Sequence, residues 1–266
     1  MNEFLETAID AAREAGGMLR SAFDRPKQIS YKGEVDIVTE ADKRSEALIV
    51  ARLRRHFPAH AIVAEEGSRG TATAGTYCWH VDPLDGTTNF AHSYPCFAVS
   101  IGLAEEGEPI LGVVLNPITE EMFTAVRGQG AYLGPRRIHV SPIEKLSTSL
   151  VSTGFPTHQR ANNRNIFYYW EFTMRSHGVR RDGSAALDLC SVACGRFDGF
   201  WEFGLNSWDT AAGVLIVKEA GGTVTDLEGR PYRPGHPSVL ATNGHIHREM
   251  RDVAAQVTER PLPSLG

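Results

Sequence analysis

The opening of the chain has the hydrophobic pattern of two amphipathic helices. Apolar residues recur three and four positions apart between Phe4 and Leu19, which is the spacing of one helical face. A second helix is predicted to begin at Thr39, because Asp42 stands where it completes a capping box. Leu53 continues the apolar face of this helix, and Pro58 marks its end.

Short apolar runs rich in β-forming residues follow, and their pattern is typical of strands. Links that contain glycine or proline join them, such as Gly107 to Pro109 and Asn116-Pro117, and such links favour antiparallel pairing. The predicted strands are 61–64, 77–81, 97–103, 110–115 and 122–126.

From Leu150 onward helical and strand patterns alternate, which indicates an α/β arrangement. The predicted helices are 162–176, 185–194 and 208–220, and the predicted strands lie near Val179, 197–203, 222–225 and 239–242. A polar stretch at 140–149 separates the two patterns but is too short for a free linker. We expect one compact unit over 1–266, with an α+β half (1–145) and an α/β half (146–266).

Composition and charge narrow the class of protein. The chain has 266 residues, 42% of them hydrophobic, and a formal net charge of −5. This length supports a sizeable core, and the scattered basic residues disfavour nucleic acid as a primary ligand. An acidic protein also disfavours an anionic substrate unless bound cations reverse the local field. An acidic N-terminus and the lack of a membrane-length apolar run predict a cytoplasmic protein without a membrane segment.

Some cysteine and histidine residues have spacings that invite a metal or redox interpretation. Cys78, Cys96, Cys190 and Cys194 lack paired CxxC spacing, so we expect free thiols. His245 and His247 have no third ligand at zinc spacing, so we expect them at the surface.

The segment from Trp79 to Phe90 carries the strongest chemical signal. A predicted strand runs into a turn that holds Asp82 and Asp85, separated by a proline and a leucine. The two carboxylates can converge on one centre, where the carbonyl of Leu84 is a further oxygen donor. Such donors favour Mg²⁺ or Mn²⁺. The alternative for either aspartate alone is a simple turn residue.

Other residues of this region extend the candidate site. Gly86 permits positive φ, so its N–H and those of the two threonines after it can form a concave anion site. A pair of glutamates beginning at Glu65 ends one predicted strand, and Asp209 stands at the start of a helix. Taken singly, the first is typical of surface charge and the second of a helix cap.

Together these motifs resemble the inositol monophosphatase family along about the whole chain, closest to its bacterial inositol-1-monophosphatases. The segments that carry the resemblance are Asp36 to Asp42, Glu65-Glu66, Asp82 to Phe90, Gly183 to Leu189, the strand ending at Glu202, and Trp208 to Gly222. The resemblance implies a layered αβαβα sandwich of mixed α/β class. Its first sheet would be mainly antiparallel and its second mixed, with helices between and outside the sheets.

The resemblance also implies roles for individual residues. The implied ligands of two or three Mg²⁺ ions are Glu65, Asp82, the carbonyl of Leu84, Asp85 and Asp209. Thr87 and Asp42 would orient and deprotonate the attacking water, with Glu65 as a third catalytic residue near a weaker ion.

Substrate contacts are implied in the same way. The implied residues are Asp85, Gly86, Thr87, Arg180, Gly183, Ser184, Ala185, Glu202 and Asp209. Arg180 and Arg181 are adjacent on a predicted strand and would point to opposite sides, so at most one of them faces the pocket. Lys32 resembles a family lysine close to the metals. Lithium inhibition and a homodimer are further family expectations.

The predicted reaction is hydrolysis of a small phosphate monoester by metal-activated water, with myo-inositol monophosphate as substrate. Fructose bisphosphate, histidinol phosphate and phosphoadenosine phosphate stay open, because relatives acting on them share the metal loop. A haloacid-dehalogenase phosphatase is disfavoured, since its aspartates stand two apart near the N-terminus. A regulatory binding protein with a phosphatase-like fold is the alternative from another class.

Overall fold

Two long helices open the fold, as the sequence predicts. The computed structural model describes residues 2–25, 29–31, 37–67, 77–155 and 163–258, so Lys32 and Asp36 lie outside the described residues. Helix α1 spans Asn2–Phe23 and helix α2 spans Glu40–His56. Between them, β1 (Ile29–Tyr31) and β2 (Ile37–Thr39) pair antiparallel.

The predicted capping box begins α2. The Thr39 N–H donates to Asp42 Oδ2 over 2.7 Å, and the Ala41 N–H donates to Thr39 Oγ1 over 3.2 Å. Both bonds satisfy N–H groups that a helix start leaves without partners. Asp42 is therefore fixed in the first turn, where its side chain is buried.

A seven-stranded sheet keeps the strand order of the chain, from β3 to β9. Its strands are β3 (Ala61–Ala64), β4 (Tyr77–Asp85), β5 (Ala98–Glu105), β6 (Glu108–Asn116), β7 (Glu121–Val126), β8 (Gly130–Leu133) and β9 (Arg136–Ile138). All neighbours are antiparallel except β3 and β4, which are parallel. The sheet is thus mainly antiparallel, as predicted. Strand β3 is the exception, because residues 65–76 connect it to β4 and a link of this length permits a crossover.

The second sheet has five strands and is mixed. The order is β11-β10-β12-β14-β13. Its strands are β10 (Leu150–Thr153), β11 (Gly178–Arg180), β12 (Gly199–Phe203), β13 (Thr223–Thr225) and β14 (Ser238–Thr242). Strand β10 is parallel to both neighbours, whereas β14 is antiparallel to β12 and β13.

The helices form three layers around the two sheets. The remaining helices are α3 (Thr87–Ala91), α4 (Asn165–Arg175), α5 (Ala185–Ala193), α6 (Ser207–Glu219) and α7 (His247–Thr258). Helices α1 and α2 cover the first sheet, α5 and α6 lie between the sheets, and α4 and α7 cover the second sheet. This is the expected αβαβα order. Within the described ranges, no helix has the length and apolarity needed to cross a bilayer.

Two glycines let α6 lie directly on the first sheet. Gly102 of β5 and Gly112 of β6 are opposite each other in the strand pairing. A Cβ on Gly112 would stand 2.6 Å from the Ala212 carbonyl oxygen, and one on Gly102 would stand 2.8 Å from Ala211 Cβ. These strands therefore have no room for a side chain at either position. This close approach sets the height of α6, whose first turn carries Asp209.

We expect Gly112→Ala to lower the free energy of unfolding by about 1–3 kcal/mol, because the added methyl group overlaps backbone atoms of α6. Gly17→Ala is the matched control, since a Cβ there meets nothing within 4 Å and the position is helical. The control should gain roughly 0.5–1 kcal/mol. Urea denaturation measures both variants, and equal losses would contradict the packing argument.

Candidate metal centre

Strand β4 ends in the two aspartates of the predicted metal loop. Asp82 and Asp85 are 1% and 9% exposed. The register between β4 and β5 shifts between these two residues, and Pro83, which lacks an N–H group, lies in the irregular step. The Leu84 N–H donates to Asp82 Oδ1 over 3.0 Å. The irregularity brings the carboxylates near enough for their charges to repel.

A threonine and an aspartate lie in contact beside this turn. Gly86 has φ 94°, and α3 begins at the next residue. Thr87 Oγ1 is 2.9 Å from Asp42 Oδ1 and 3.1 Å from the Leu84 carbonyl oxygen. A hydroxyl group has one proton for these two acceptors, so it donates fully to only one at a time.

Helix α2 is fastened to the same loop by its inner face. Ser45 Oγ donates to the Pro83 carbonyl oxygen over 2.7 Å, and Glu46 Oε2 accepts the Glu66 N–H over 2.6 Å. These contacts hold the ends of β3 and β4 against one helix. They involve residues that the sequence interpretation did not select, although Ser45 and Glu46 lie within one helical turn of Asp42.

Glu65 and Asp209 reach the centre from other elements. Glu65 directly follows β3, and its N–H donates to the Val81 carbonyl over 3.3 Å. Asp209 lies in the first turn of α6, where its Oδ2 accepts the Asn206 N–H over 2.6 Å. This is a capping box, so the helix-cap interpretation of Asp209 is also correct.

Electrostatics show that the four acidic residues form one group. Burial raises the pKa of Asp82 well above its usual range, and the charges of Glu65, Asp85 and Asp209 raise it further. Burial also raises the pKa of Asp85 to about 6. Burial, with the charges of Asp85 and Glu65, raises the pKa of Asp209 to about 8. The sequence prediction that these residues come together is consistent with this mutual repulsion.

The chemistry of the group fits a hard divalent cation. Its side chains offer only oxygen, the donor that Mg²⁺ and Mn²⁺ prefer. In the part of the chain that the structure describes, no three acidic, histidine or cysteine side chains stand as a closed ligand set. The negative charges of these neighbouring carboxylates repel one another. A cation among them would turn this repulsion into attraction.

The second half of the chain supplies the opposite wall. Asp85 Oδ2 accepts from Ser184 Oγ over 2.6 Å and from the Ala186 N–H over 2.7 Å. Asn89 Nδ2 donates to the carbonyl groups of Cys96 and Asp182, each over 2.7 Å. The turn around Gly183 is therefore tied to the metal loop. A backbone donor such as the Ala186 N–H cannot be recognised from residue type. Asn89, in contrast, lies within the Asp82 to Phe90 segment that the sequence analysis selected.

Glu202 and the two arginines complete the rim. Glu202 is buried, and burial with the charges of Asp209 and Asp85 raises its pKa well above the usual range. The charge of Arg181 opposes that rise. Both arginines are exposed, and Arg180 Nη1 donates to the Val179 carbonyl over 3.3 Å. The prediction that they share a strand is wrong, because β11 ends at Arg180. Arg181 is thus the arginine on the Glu202 side.

The residues set aside in the sequence lie elsewhere in the fold. All four cysteines are free thiols, as expected. His245 is exposed, but the surface prediction for His247 is wrong. Its ring lies 3.0 Å from both Thr225 Oγ1 and Thr242 Oγ1, and those two hydroxyl groups explain its burial.

Fold and site together define a layered α/β protein with a cluster of acidic side chains between its two halves. The sequence model described as the Inositol monophosphatase family matches residues 1–260. The chain therefore belongs to the inositol monophosphatase family, which is metal-dependent and acts on phosphate esters.

Individual relatives are similar over nearly their full length. An inositol-1-monophosphatase of Synechocystis is 46% identical over 260 residues, covering 96% of this chain and 90% of the relative. The solved inositol monophosphatase of Anabaena has a TM-score of 0.88 at 43% identity, covering 99% of this chain and 98% of that one. The Nus factor SuhB of Pseudomonas aeruginosa is 46% identical over 238 residues, covering 86% of this chain and 87% of that protein.

We expect the cation-free protein to lose stability as the pH rises. The pKa of Asp209 is about 8 in the folded chain and 3.8 ordinarily, so the folded state binds the extra proton between these values. The free energy of unfolding therefore falls as pH rises through this window. Buried His80 and His247, whose pKa values are lowered to about 4, act in the opposite direction only below their ordinary value of 6.5.

Melting temperatures in EDTA, measured at about pH 7 and about pH 8.5, avoid the range in which the histidines act. We expect a lower value at the higher pH, a larger stabilisation by added Mg²⁺ there, and a flatter profile for Asp209→Asn. A wild-type melting temperature that rises over this interval in EDTA would contradict the electrostatic account.

Proposed function

We propose that this protein hydrolyses a small phosphate monoester with water activated by Mg²⁺, and that its substrate is myo-inositol monophosphate. The observation that carries the proposal is the group of Glu65, Asp82, Asp85 and Asp209 beside the Thr87–Asp42 contact, in which Asp82 and Asp85 are buried and Glu65 and Asp209 are half-buried. Uncatalysed hydrolysis of such esters is among the slowest biological reactions, so a dense set of charges is needed. Clustered carboxylates with perturbed pKa values are typical of functional sites.

The proposed ligands divide into two overlapping sets. Glu65, Asp82 and the Leu84 carbonyl would hold one cation, and Asp82 would share the second with Asp85 and Asp209. When bound, the cations lower the pKa of a coordinated water and neutralise phosphoryl oxygens. The Leu84 N–H and the Ser184 hydroxyl orient Asp82 and Asp85 beforehand.

Thr87 and Asp42 provide a route for the proton of the attacking water. With Thr87 donating its proton to Asp42, the lone pairs of the threonine oxygen can accept a hydrogen bond from that water. The water proton passes to Thr87 as the threonine proton passes to Asp42. Burial raises the pKa of Asp42, which makes its carboxylate a better proton acceptor.

The wall formed by the second half favours a neutral polyol. Ala185 and Glu202 offer backbone and carboxylate groups, which match the hydroxyl groups of an inositol ring, whereas the Ser184 hydroxyl is committed to Asp85. Among the described residues, Arg181 is the cation whose charge reaches Glu202. A second phosphate group, as in fructose bisphosphate or phosphoadenosine phosphate, would instead approach Glu202. We therefore place Arg181, rather than Arg180, at the substrate rim.

A substrate panel with Mg²⁺ tests the proposed activity. We expect kcat/KM for myo-inositol 1-phosphate to exceed that for fructose 1,6-bisphosphate, histidinol phosphate and phosphoadenosine phosphate by at least about tenfold, which corresponds to about 1.4 kcal/mol. Phosphate release measures each reaction. A bisphosphate as the preferred substrate would overturn the assignment of the polyol, and no turnover of any ester would overturn the hydrolase assignment.

The proton route predicts a specific defect. Thr87→Val should lower kcat by about 10²–10⁴-fold with little change in KM, because the relay loses its hydroxyl group. Thr87→Ser should retain most activity. Thr88→Val is the matched control, since Thr88 is adjacent and exposed. Steady-state kinetics at saturating Mg²⁺ measure all three, and a fully active Thr87→Val enzyme would remove Thr87 from the mechanism.

A homodimer is part of the proposal and rests on helix α4. Ile166, Trp170 and Met174 are four residues apart and 52%, 63% and 67% exposed, so they form an apolar stripe on one helical face. A second copy related by a two-fold axis would place the same stripe against itself. Light scattering should give twice the mass of the chain, and a monomeric mass at micromolar concentration would contradict the dimer.

A binding role is the second candidate, favoured by the relatives that are named as Nus factors. Such a role and hydrolysis can coexist, because a protein partner would use surface residues and the substrate uses the buried site. The Thr87 variants distinguish the two functions. A hydrolase loses turnover in Thr87→Val, whereas a purely binding protein has no turnover in the wild type or in the variant.

A further inference from the structure

A groove along the exposed side of α2 is separate from the carboxylate site. It has a volume of about 560 Å³ and lies where α2 meets α1. Its lining residues are Glu14, Arg44, Ala47, Leu48, Ala51, Arg52, Arg55 and His56. None of these residues belongs to the metal centre or to the proposed substrate wall.

The floor of the groove is apolar and open. Ala47 and Ala51 are exposed and Leu48 is half-buried, so small side chains leave a hollow between longer ones. Arg44, Leu48, Ala51 and Arg55 stand at intervals of four, three and four residues. They therefore form one stripe on the helix, with an arginine at each end and an apolar centre.

The two end arginines have no acidic partner within the described residues. Arg52, which also lines the groove, pairs with Glu14 over 2.6 Å and with Asp10 over 3.4 Å. Neither Arg44 nor Arg55 forms a comparable ion pair in the described ranges. They are separated by about 16 Å along the helix axis, at 1.5 Å per residue. This basic stripe is notable on a protein whose net charge is −5.

We propose that the α2 groove binds an acidic amphipathic helix of a partner protein. Apolar side chains of such a helix, one turn apart, would enter the hollow over Leu48 and Ala51. Its acidic side chains, about three turns apart, would meet Arg44 and Arg55. The charge complementarity and the apolar floor together favour this occupant.

Two other occupants fit the groove less well. A single phosphate group would leave the apolar floor of Ala47, Leu48 and Ala51 uncovered. A nucleic acid strand binds through cations and stacked aromatic rings, but the lining has an aliphatic floor and His56 as its only ring. A protein helix uses both the floor and the ends.

A designed peptide is a suitable probe of this inference. It would be an 18-residue helix with leucine one turn apart on one face and glutamate at both ends of that face, labelled with fluorescein. Fluorescence anisotropy against the full-length protein should give saturable binding. An isomer with the same composition but scrambled order, and a single-stranded RNA of the same net charge, should bind at least about tenfold more weakly.

Two double variants separate the groove from general charge. Arg44→Glu with Arg55→Glu should weaken peptide binding at least about tenfold, or 1.4 kcal/mol. Lys43→Glu with Arg54→Glu is the matched control, because these exposed residues make the same change of charge on the same helix but do not line the groove. The control should change affinity less than about threefold.

These binding measurements test the proposed groove independently of enzymatic activity. Equal weakening by both double variants would show general electrostatic attraction and overturn the groove assignment. Tighter binding of the RNA than of the peptide, or no saturable peptide binding, would overturn the choice of partner. Circular dichroism checks folding, and the milder pair Arg44→Gln with Arg55→Gln replaces the first variant if that variant unfolds.

Discussion

The structure depends on holding several acidic side chains of like charge together in a buried place. Burial disfavours ionised Asp82, Asp85 and Asp209, and the charges of neighbouring carboxylates add to this for Asp82 and Asp209, as their raised pKa values show. The fold offsets this cost with packing elsewhere, such as the contact of α6 with Gly102 and Gly112. It also delivers the carboxylates from rigid elements, two from the end of β4 and one from the start of α6. Carboxylates of like charge would move apart unless the strands and helices that carry them are rigid.

Each aspartate at the site is oriented by a hydrogen bond that one of its carboxylate oxygens accepts from a backbone N–H group. Asp42 Oδ2 accepts the Thr39 N–H while its Oδ1 meets Thr87. Asp209 Oδ2 accepts the Asn206 N–H, and Asp85 Oδ2 takes both bonds from the α5 start. Fixing one oxygen sets the direction of the other. Two of these bonds are helix caps, so folding signals and functional residues coincide, and capping cannot be used as an argument against function here.

The sequence predicts those parts of the fold that depend on local periodicity. Strand β3 was predicted to the residue, and both opening helices follow from their apolar spacing. Strands β1, β2, β8, β9 and β10 were missed, because each has only three or four residues, too few to show a strand period. The parallel pairing of β3 with β4 is set by a long connection, which local pattern does not encode. At the site, side-chain types were recognisable, whereas donors such as the Ala186 N–H depend on backbone position alone.

Helix α2 shows how one element can serve two surfaces. Its acidic residues Asp42 and Glu46 are buried on the inner face, whereas Arg44 and Arg55 are exposed on the outer face. These two acidic and two basic charges cancel in the net charge, so the basic stripe cannot be recognised from the composition. The inner face is bonded to the Pro83 carbonyl and to the Glu66 N–H, so the helix is a fixed wall. A ligand on the outer face therefore contacts a rigid surface, and binding there leaves the bonds of the inner face in place.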